Sequence, residues 1–247
     1  YRDGGQSDFL LLLVLDHKNK TIRQLQIDRD TMTSVNVLGL FGNNAGSRVM
    51  QICLSHGYGM DRQERCQNSL RAVEGLLNCP EIELYMEVPL DAISTLNDLL
   101  GGVTVTLEDD FTAADPAMTK GATLTLTGEQ AVTLVRRRMD VADGTNETRM
   151  TRQREFMDAA VPLIREKINE SSGFITTMID TLTPYVTTNM VRGRMINEIN
   201  RAYHYEVEPV QYLSGEHSIG EDGFVEFHAD EQSIVDFVLD AFYTKKE

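Results

Sequence analysis

The chain has 247 residues, 41% of them hydrophobic, and a formal net charge of -15 at pH 7. That length and apolar content are enough to bury a substantial core, as one large domain or two small ones. The acidic balance excludes a protein that coats nucleic acid, because that task needs a basic surface to displace counterions.

The first predicted element follows Asp8. Phe9 to Leu15 is apolar without alternation, the pattern of a strand covered on both faces, and it is too short to span a bilayer. No signal-like stretch precedes it, and the chain opens at Tyr1 without methionine. It therefore reads as a chain from which an upstream membrane segment has been removed. Asp16 to Lys20 is a polar turn and Thr21 to Ile27 alternates, so a β-hairpin is predicted. The hairpin runs into Asp28-Arg29-Asp30-Thr31, a charged cluster at a strand end, where α/β folds commonly hold ligands. An arginine paired with its two flanking aspartates on the surface explains the same residues.

Asn36 to Ser47 is rich in glycine and asparagine and reads as a loop. Asp61, with Glu64 three residues later, forms a variant capping box for a helix to about Leu77 that buries Cys66, Leu70, Val73 and Leu77. Cys53, Cys66 and Cys79 fit no CxxC pattern and read as small buried residues, with one disulfide as the alternative. Ile82 to Val88 alternates as a strand, Leu90 to Leu100 is a helix stopped by Gly101-Gly102, and Val103 to Leu107 is a further strand. Glu108-Asp109-Asp110 and Asp115 form an acidic loop, most simply solvated.

Thr127-Gly128-Glu129-Gln130 is a capping box, and the helix it opens delivers a run of arginines. The next helix starts near Thr148 and buries Phe156, Ala160, Leu163, Ile164 and Ile168, with Pro162 expected to kink or divide it. Thr176 to Tyr185 and Val191 to Tyr203 are helical by pattern, and Val207 to Leu213 and Gly223 to Phe227 are strands. Ala229-Asp230-Glu231-Gln232 opens a final helix through Phe242. The mixture predicts an α/β (α+β) sandwich, a central mixed β-sheet flanked by helices. With no linker and no internal repeat, residues 1–247 read as a single domain.

Between Arg136 and Arg154 there are six arginines and no lysine against three acidic residues, a local inversion of sign. Arginine's planar fork stays charged and matches phosphate or carboxylate oxygens in pairs. Arg136 and Arg138 would point to nearly opposite sides of a continuous helix. Either the helix ends near Arg136 or only one of them matters. Arg149, Arg152 and Gln153 share one face of a helix start, whose free N–H groups and positive partial charge welcome an anion. Two readings stand: a solvated basic helix, or a di- or polyphosphate site. No GxSxG, HExxH or GxxxxGK[ST] pattern is present and the five histidines are scattered singly. Arginines and a few carboxylates remain, the equipment for holding phosphates and a magnesium ion.

Several separated stretches together resemble the LytR-CpsA-Psr family. They are Ser7-Asp8 before the apolar strand, Ile27-Asp28-Arg29-Asp30-Thr31, Tyr85-Met86-Glu87-Val88, Gly101-Gly102-Val103, Gly128-Glu129-Gln130-Ala131, Val135-Arg136-Arg137-Arg138, Arg149-Met150-Thr151-Arg152-Gln153 and Val186-Thr187-Thr188-Asn189. The resemblance covers essentially the whole chain. It implies an extracytoplasmic, membrane-anchored bacterial enzyme that moves a phosphate-linked saccharide polymer from a polyprenyl diphosphate carrier onto peptidoglycan. Such enzymes hold the diphosphate with arginines and Mg²⁺, the isoprenoid lying in an apolar tunnel.

Carried over by motif position, Arg29, Arg136, Arg138 and Arg149 would contact the diphosphate with Gln153 beside them. Asp8 would help hold Mg²⁺, and Asp30 would orient Arg29 or assist the acceptor hydroxyl. Arg137 and Arg154 fall off the motif and read as surface residues. Three departures stand out. Gln6-Ser7-Asp8 replaces the family's usual Arg-Ser-Asp, Gln51 stands where a lysine is common, and a further metal-binding aspartate would lie before Tyr1, Asp3 being too close to Asp8. A polyprenyl-phosphate or cell-wall binding protein without turnover, and a hydrolase of the diphosphate, are the alternatives.

Overall fold

The computed structural model describes residues 5–39, 42–79, 81–138 and 141–243, so Asp3, Met139 and Asp140 lie outside the described residues. The chain opens with β1 (Leu10–Asp16), β2 (Thr21–Ile27), β3 (Met32–Leu38) and β4 (Asn44–Gln51), followed by α1 (Arg62–Leu77) and β5 (Met86–Glu87). Next come α2 (Leu90–Leu100), β6 (Thr104–Thr106), β7 (Thr123–Thr125), α3 (Gly128–Arg136), α4 (Asn146–Glu170), α5 (Phe174–Leu182), β8 (Thr187–Thr188) and α6 (Arg192–Ala202). It closes with β9 (Glu206–Tyr212), β10 (Gly215–Ile219), β11 (Val225–Ala229) and α7 (Glu231–Phe242). The α+β class is as the sequence predicts. Two compact units form: Tyr1–Met86 with Tyr205–Glu247, and Glu87–His204.

The first unit is built on a mixed sheet in the order β1-β2-β9. β1 and β2 are the predicted hairpin, with Leu10 opposite Ile27 and Asp16 opposite Thr21. β9 returns parallel to β2, pairing Thr21 with Glu206 and Gln26 with Tyr212. One face of this sheet, Leu10, Leu12, Val14, Leu25 and Ile27, packs with Ala72, Val73 and Leu77 of α1 and Phe237 and Val238 of α7. α1 begins where Asp61 accepts the Glu64 N–H at 2.9 Å, and ends on Asn78 in the left-handed region. Cys66, Val73 and Leu77 are buried as expected, while Leu70 is half-buried.

Three expectations fail here. β1 is an edge strand among the described residues, with Leu13 48% exposed, so its unbroken apolar run does not mark a strand covered on both faces. The supposed loop from Asn36 to Ser47 is mostly a hairpin of β3 and β4. Thr33, Val35 and Val37 show the buried alternation of β3, whereas β4 is almost wholly exposed and owes its extended form to pairing. The strand expected from Ile82 shrinks to Met86–Glu87, and β10 goes unanticipated.

In the second unit α2, α3 and the first half of α4 enclose a core of Leu100, Val103, Leu107, Phe111, Leu126, Leu134, Val135 and Phe156. Asn97 is fully buried with both ends of its amide engaged: its Nδ2 donates to the Leu126 carbonyl at 2.8 Å and its Oδ1 accepts from the Val103 N–H at 2.9 Å. That amide closes the ends of β6 and β7 against α2. Gly101 and Gly102 turn the chain at φ 84° and 97°, where side chains are strained. Pro162 does not divide α4, which runs unbroken for 25 residues. Pro162 is on the exposed side, and Phe156, Ala160 and Ile168 anchor the helix on either side of it. Beyond it, Ile168 packs with Ile175, Ile179 and Met195 of α5 and α6.

Candidate functional site

The turn after β2 carries the first group of candidates. Asp28 builds it: its carbonyl accepts from the Thr31 N–H at 3.1 Å and the Thr31 hydroxyl at 2.6 Å, while its Oδ1 accepts from the Asp30 N–H at 2.9 Å. Arg29 is buried at this turn. Its Nη1 donates to Asp8 Oδ1, its Nη2 donates to Gln6 Oε1 and, at 3.1 Å, to Cys53 Sγ, and its Nε lies 3.5 Å from Asp30 Oδ1 without a hydrogen bond.

Burial works against the Arg29 charge, but Cys53, Asp8 and Asp30 more than offset it and hold the guanidinium pKa above its usual value. The Cys53 thiol is pushed up by burial, only partly countered by Arg29. The structure thus brings Asp8, Arg29 and Asp30 together. It also shows the reading of a mere surface pair to be wrong, since the arginine is enclosed.

Two departures from the family pattern acquire structural roles. Gln6 supplies an amide oxygen to Arg29 in place of a cation. Gln51 donates through Nε2 to the Val225 carbonyl of β11 at 2.8 Å. All three cysteines are free thiols, Cys53 and Cys66 buried and Cys79 half-buried.

The second group lies in the other unit. The capping box at Thr127 and Gln130 forms as predicted, and α3 ends at Arg136 because Arg137 adopts φ -63°, ψ 140°. That resolves the spacing of Arg136 and Arg138: they never share a helix, Arg136 being exposed and Arg138 half-buried beyond the helix end. α4 docks on this end through its buried face. Gln153 Nε2 donates to the Val135 carbonyl at 3.1 Å, and Arg152 Nη2 donates to the Arg137 carbonyl. Arg149 is buried and donates to Asn146 Oδ1 at 2.7 Å.

Arg152 is the residue that sequence reasoning undervalued. It is 2% exposed, pairs with Asp109 at 3.0 Å and lies 5.3 Å over the Phe111 ring. Asp109 is therefore a half-buried partner of Arg152 rather than a plainly solvated residue. Arg154 is half-buried with Asp158 at 2.9 Å, and Arg137 is half-buried too, so neither is a plain surface residue.

Acidic groups crowd one side of the start of α4. Thr145 caps it, and Asp143 accepts from the Thr145 N–H and from the Thr145 and Thr148 hydroxyls, bonds that hold the Asp143 pKa below the usual range. Asp143 also joins Glu108, Asp109, Glu147 and Glu155 around a cavity of about 430 Å³. Burial first, then Glu108 and Asp109, push the Glu155 carboxyl up.

The fold is α+β, with buried or half-buried arginines at the turn after β2 and around the junction of α3 and α4. The LytR_cpsA_psr family model matches residues 2–238, and the chain belongs to the LytR-CpsA-Psr family. It is 29% identical over 198 residues to a polyisoprenyl-teichoic acid–peptidoglycan teichoic acid transferase, TagU, of Bacillus mycoides, a match covering 79% of this chain and 58% of that protein. The TagU of Bacillus anthracis matches to the same extent. The chain thus spans less than two thirds of these relatives.

Among solved structures, protein gbs0355 of Streptococcus agalactiae superposes with a TM-score of 0.79 at 20% identity, over 99% of this chain and 84% of that one. Bacillus subtilis TagU gives 0.66 at 20% identity, over 98% and 94%. A TagT described as bound to LIIa-WTA gives 0.73 at 22% identity, over 96% and 84%. These likenesses establish the fold.

Proposed function

We propose that this chain transfers a phosphate-linked glycopolymer from a polyprenyl diphosphate carrier to a peptidoglycan hydroxyl, at the outer face of the cell membrane where carrier and acceptor meet. The observation that carries the reading is Arg29, a buried guanidinium held at a strand end by two carboxylates, in a chain whose family match covers residues 2–238. Relatives named as teichoic acid transferases support the same class of reaction. No helix among the described residues is long and apolar enough to cross a membrane, so the proposed anchoring through a segment upstream rests on the family alone.

On the family's motif positions, Arg29, Arg136, Arg138, Arg149 and Gln153 are the donors we assign to phosphate oxygens. Each charged hydrogen bond of this kind contributes roughly 1.5–3 kcal/mol. The donors around Arg29 are oxygens of Gln6, Asp8 and Asp30, which suit Mg²⁺, an ion that binds through one or two carboxylates together with substrate phosphates. Asp8, the more exposed of the two carboxylates, is the residue assigned to it. When bound, the ion would neutralise phosphate charge.

Phosphoryl transfer of this kind is catalysed by positioning and charge stabilisation. A reading without turnover draws on one observation: Gln6 offers Arg29 an acceptor where the family has a cation. Mass-spectrometric detection of coupled product, from a polyprenyl diphosphate saccharide, a peptidoglycan oligosaccharide and Mg²⁺, separates the readings. Wild type is expected to form product, and Arg138→Ala to lose it. Donor binding without product would establish a carrier-binding protein, and phosphorylated sugar released without acceptor would establish a hydrolase.

A further inference from the structure

The turn that places Arg29 is clamped to the hairpin of β10 and β11. Phe227 donates its N–H to the Asp30 carbonyl at 2.8 Å, and Thr31 forms a parallel bridge with Phe227. Phe227 lies directly opposite His217 across the hairpin, their rings 4.7 Å apart. His217 Nε2 in turn sits 3.0 Å from Asp28 Oδ2. The other oxygen of the same carboxylate accepts from the Asp30 N–H, so one aspartate orients both the imidazole and the backbone of the residue after Arg29. The Asp28 side chain is 15% exposed and His217 48%, leaving the ring accessible while its anchor is enclosed.

A carboxylate only accepts, so the Nε2 that faces it carries hydrogen and the neutral ring keeps its lone pair at Nδ1. This is the arrangement of a general base held in one tautomer by an acid. The charged group in contact with the ring is Asp28, while the next residue, Arg29, turns its guanidinium to Asp8 and Gln6. Glu216, Glu226 and His228 fall on the opposite face of the hairpin by its period of two, where Glu226 and His228 pair at 3.1 Å.

We propose that His217, oriented by Asp28, is the general base that takes the acceptor hydroxyl proton, an assignment that rests on the transferase reading above. The acceptor oxygen attacks the glycan-bearing phosphorus and forms the new P–O bond. The bond from that phosphorus to the bridging oxygen breaks, and polyprenyl monophosphate leaves with the electron pair. The hydroxyl proton passes to Nδ1 of His217 and from there to solvent. Arg29, next to Asp28 in the chain, serves phosphate while its neighbour serves the proton.

The test measures initial transfer rates from pH 5 to 9 for the wild-type chain, His217→Gln and Asp28→Asn, with binding of the polyprenyl diphosphate saccharide followed in parallel. Glutamine keeps a hydrogen bond to Asp28 but has no basic nitrogen. His217→Gln is expected to lose about 100-fold in kcat, within the usual range for a general base, and to lose the acidic limb of the profile, with donor binding within about twofold. His217→Ala should regain rate when imidazole is added, a rescue that a purely structural clamp would not show. A His217→Gln rate within about threefold of wild type, on the same profile, would overturn the assignment while leaving the transferase intact. Absence of transfer by the wild-type chain would overturn the transferase reading and this assignment with it.

Discussion

Replacing Arg29 by methionine removes the guanidinium while keeping an unbranched side chain of similar reach. The Arg29 side chain is 11% exposed and that of Asp30 13%, so their pair is effectively buried, whereas Asp8 at 36% is partly in water. Removing one member of a buried pair typically costs about 3–5 kcal/mol, and an exposed pair contributes about 0–1 kcal/mol. The Nε approach to Asp30 is a long 3.5 Å without a hydrogen bond, which places the expected loss at the low end. About 3 kcal/mol is the value to look for in urea unfolding at pH 7, read as a shift in midpoint at constant slope.

Arg29→Met combined with Asp30→Asn should recover about 1–2 kcal/mol of that loss, because the uncompensated charge is then gone. A loss below about 1 kcal/mol, or a double variant no more stable than Arg29→Met alone, would refute the claim that a buried charge pair organises this turn. The single variant should also bind the polyprenyl diphosphate donor more weakly, by roughly one or two factors of ten for one or two lost charged hydrogen bonds.

Two predictions address the second unit. Asn97→Ala leaves the Leu126 carbonyl and the Val103 N–H buried without their partner, and is expected to destabilise by about 2–4 kcal/mol in thermal or urea melts. Glu155→Gln relieves a carboxyl whose folded-state pKa is raised, so the protonated form favours the native state at low pH and that advantage is lost as pH rises through the folded value. The substitution should therefore stabilise by under about 1 kcal/mol at pH 7, and melting at pH 4 should show the gain shrinking.

Much of the fold was legible because the signals that carry it are local. The Asp61 and Thr127 caps, the turn at Asp16, the glycine stop after α2 and the apolar stripe of α4 all depend on residues within a turn or two of one another. β4 was not legible: it is polar, exposed and defined by β3 opposite it. Pro162 misled for the complementary reason. Its intrinsic cost is local, while the anchors that keep α4 continuous through it come from elsewhere in the unit.

The candidate site divides along the same line. Arginine enrichment in an acidic chain, and the strand-end cluster at Arg29, are compositional facts, which the sequence alone left open between a solvated charged surface and an anion site. Which arginines are enclosed and which face water was decided by packing: Arg152 is spent on Asp109 and Phe111, Arg136 stays exposed, and α3 unwinds at Arg137. His217 read as one of five scattered histidines. It meets Asp28 only because a hairpin 189 residues away folds back onto the turn. The sequence by itself thus determined the local elements, the charge inversion and the family, since each is written in neighbouring residues or in their order. The tertiary structure alone decided burial and partnership, because the free energy of a charge depends on what surrounds it, and those surroundings come from distant parts of the chain.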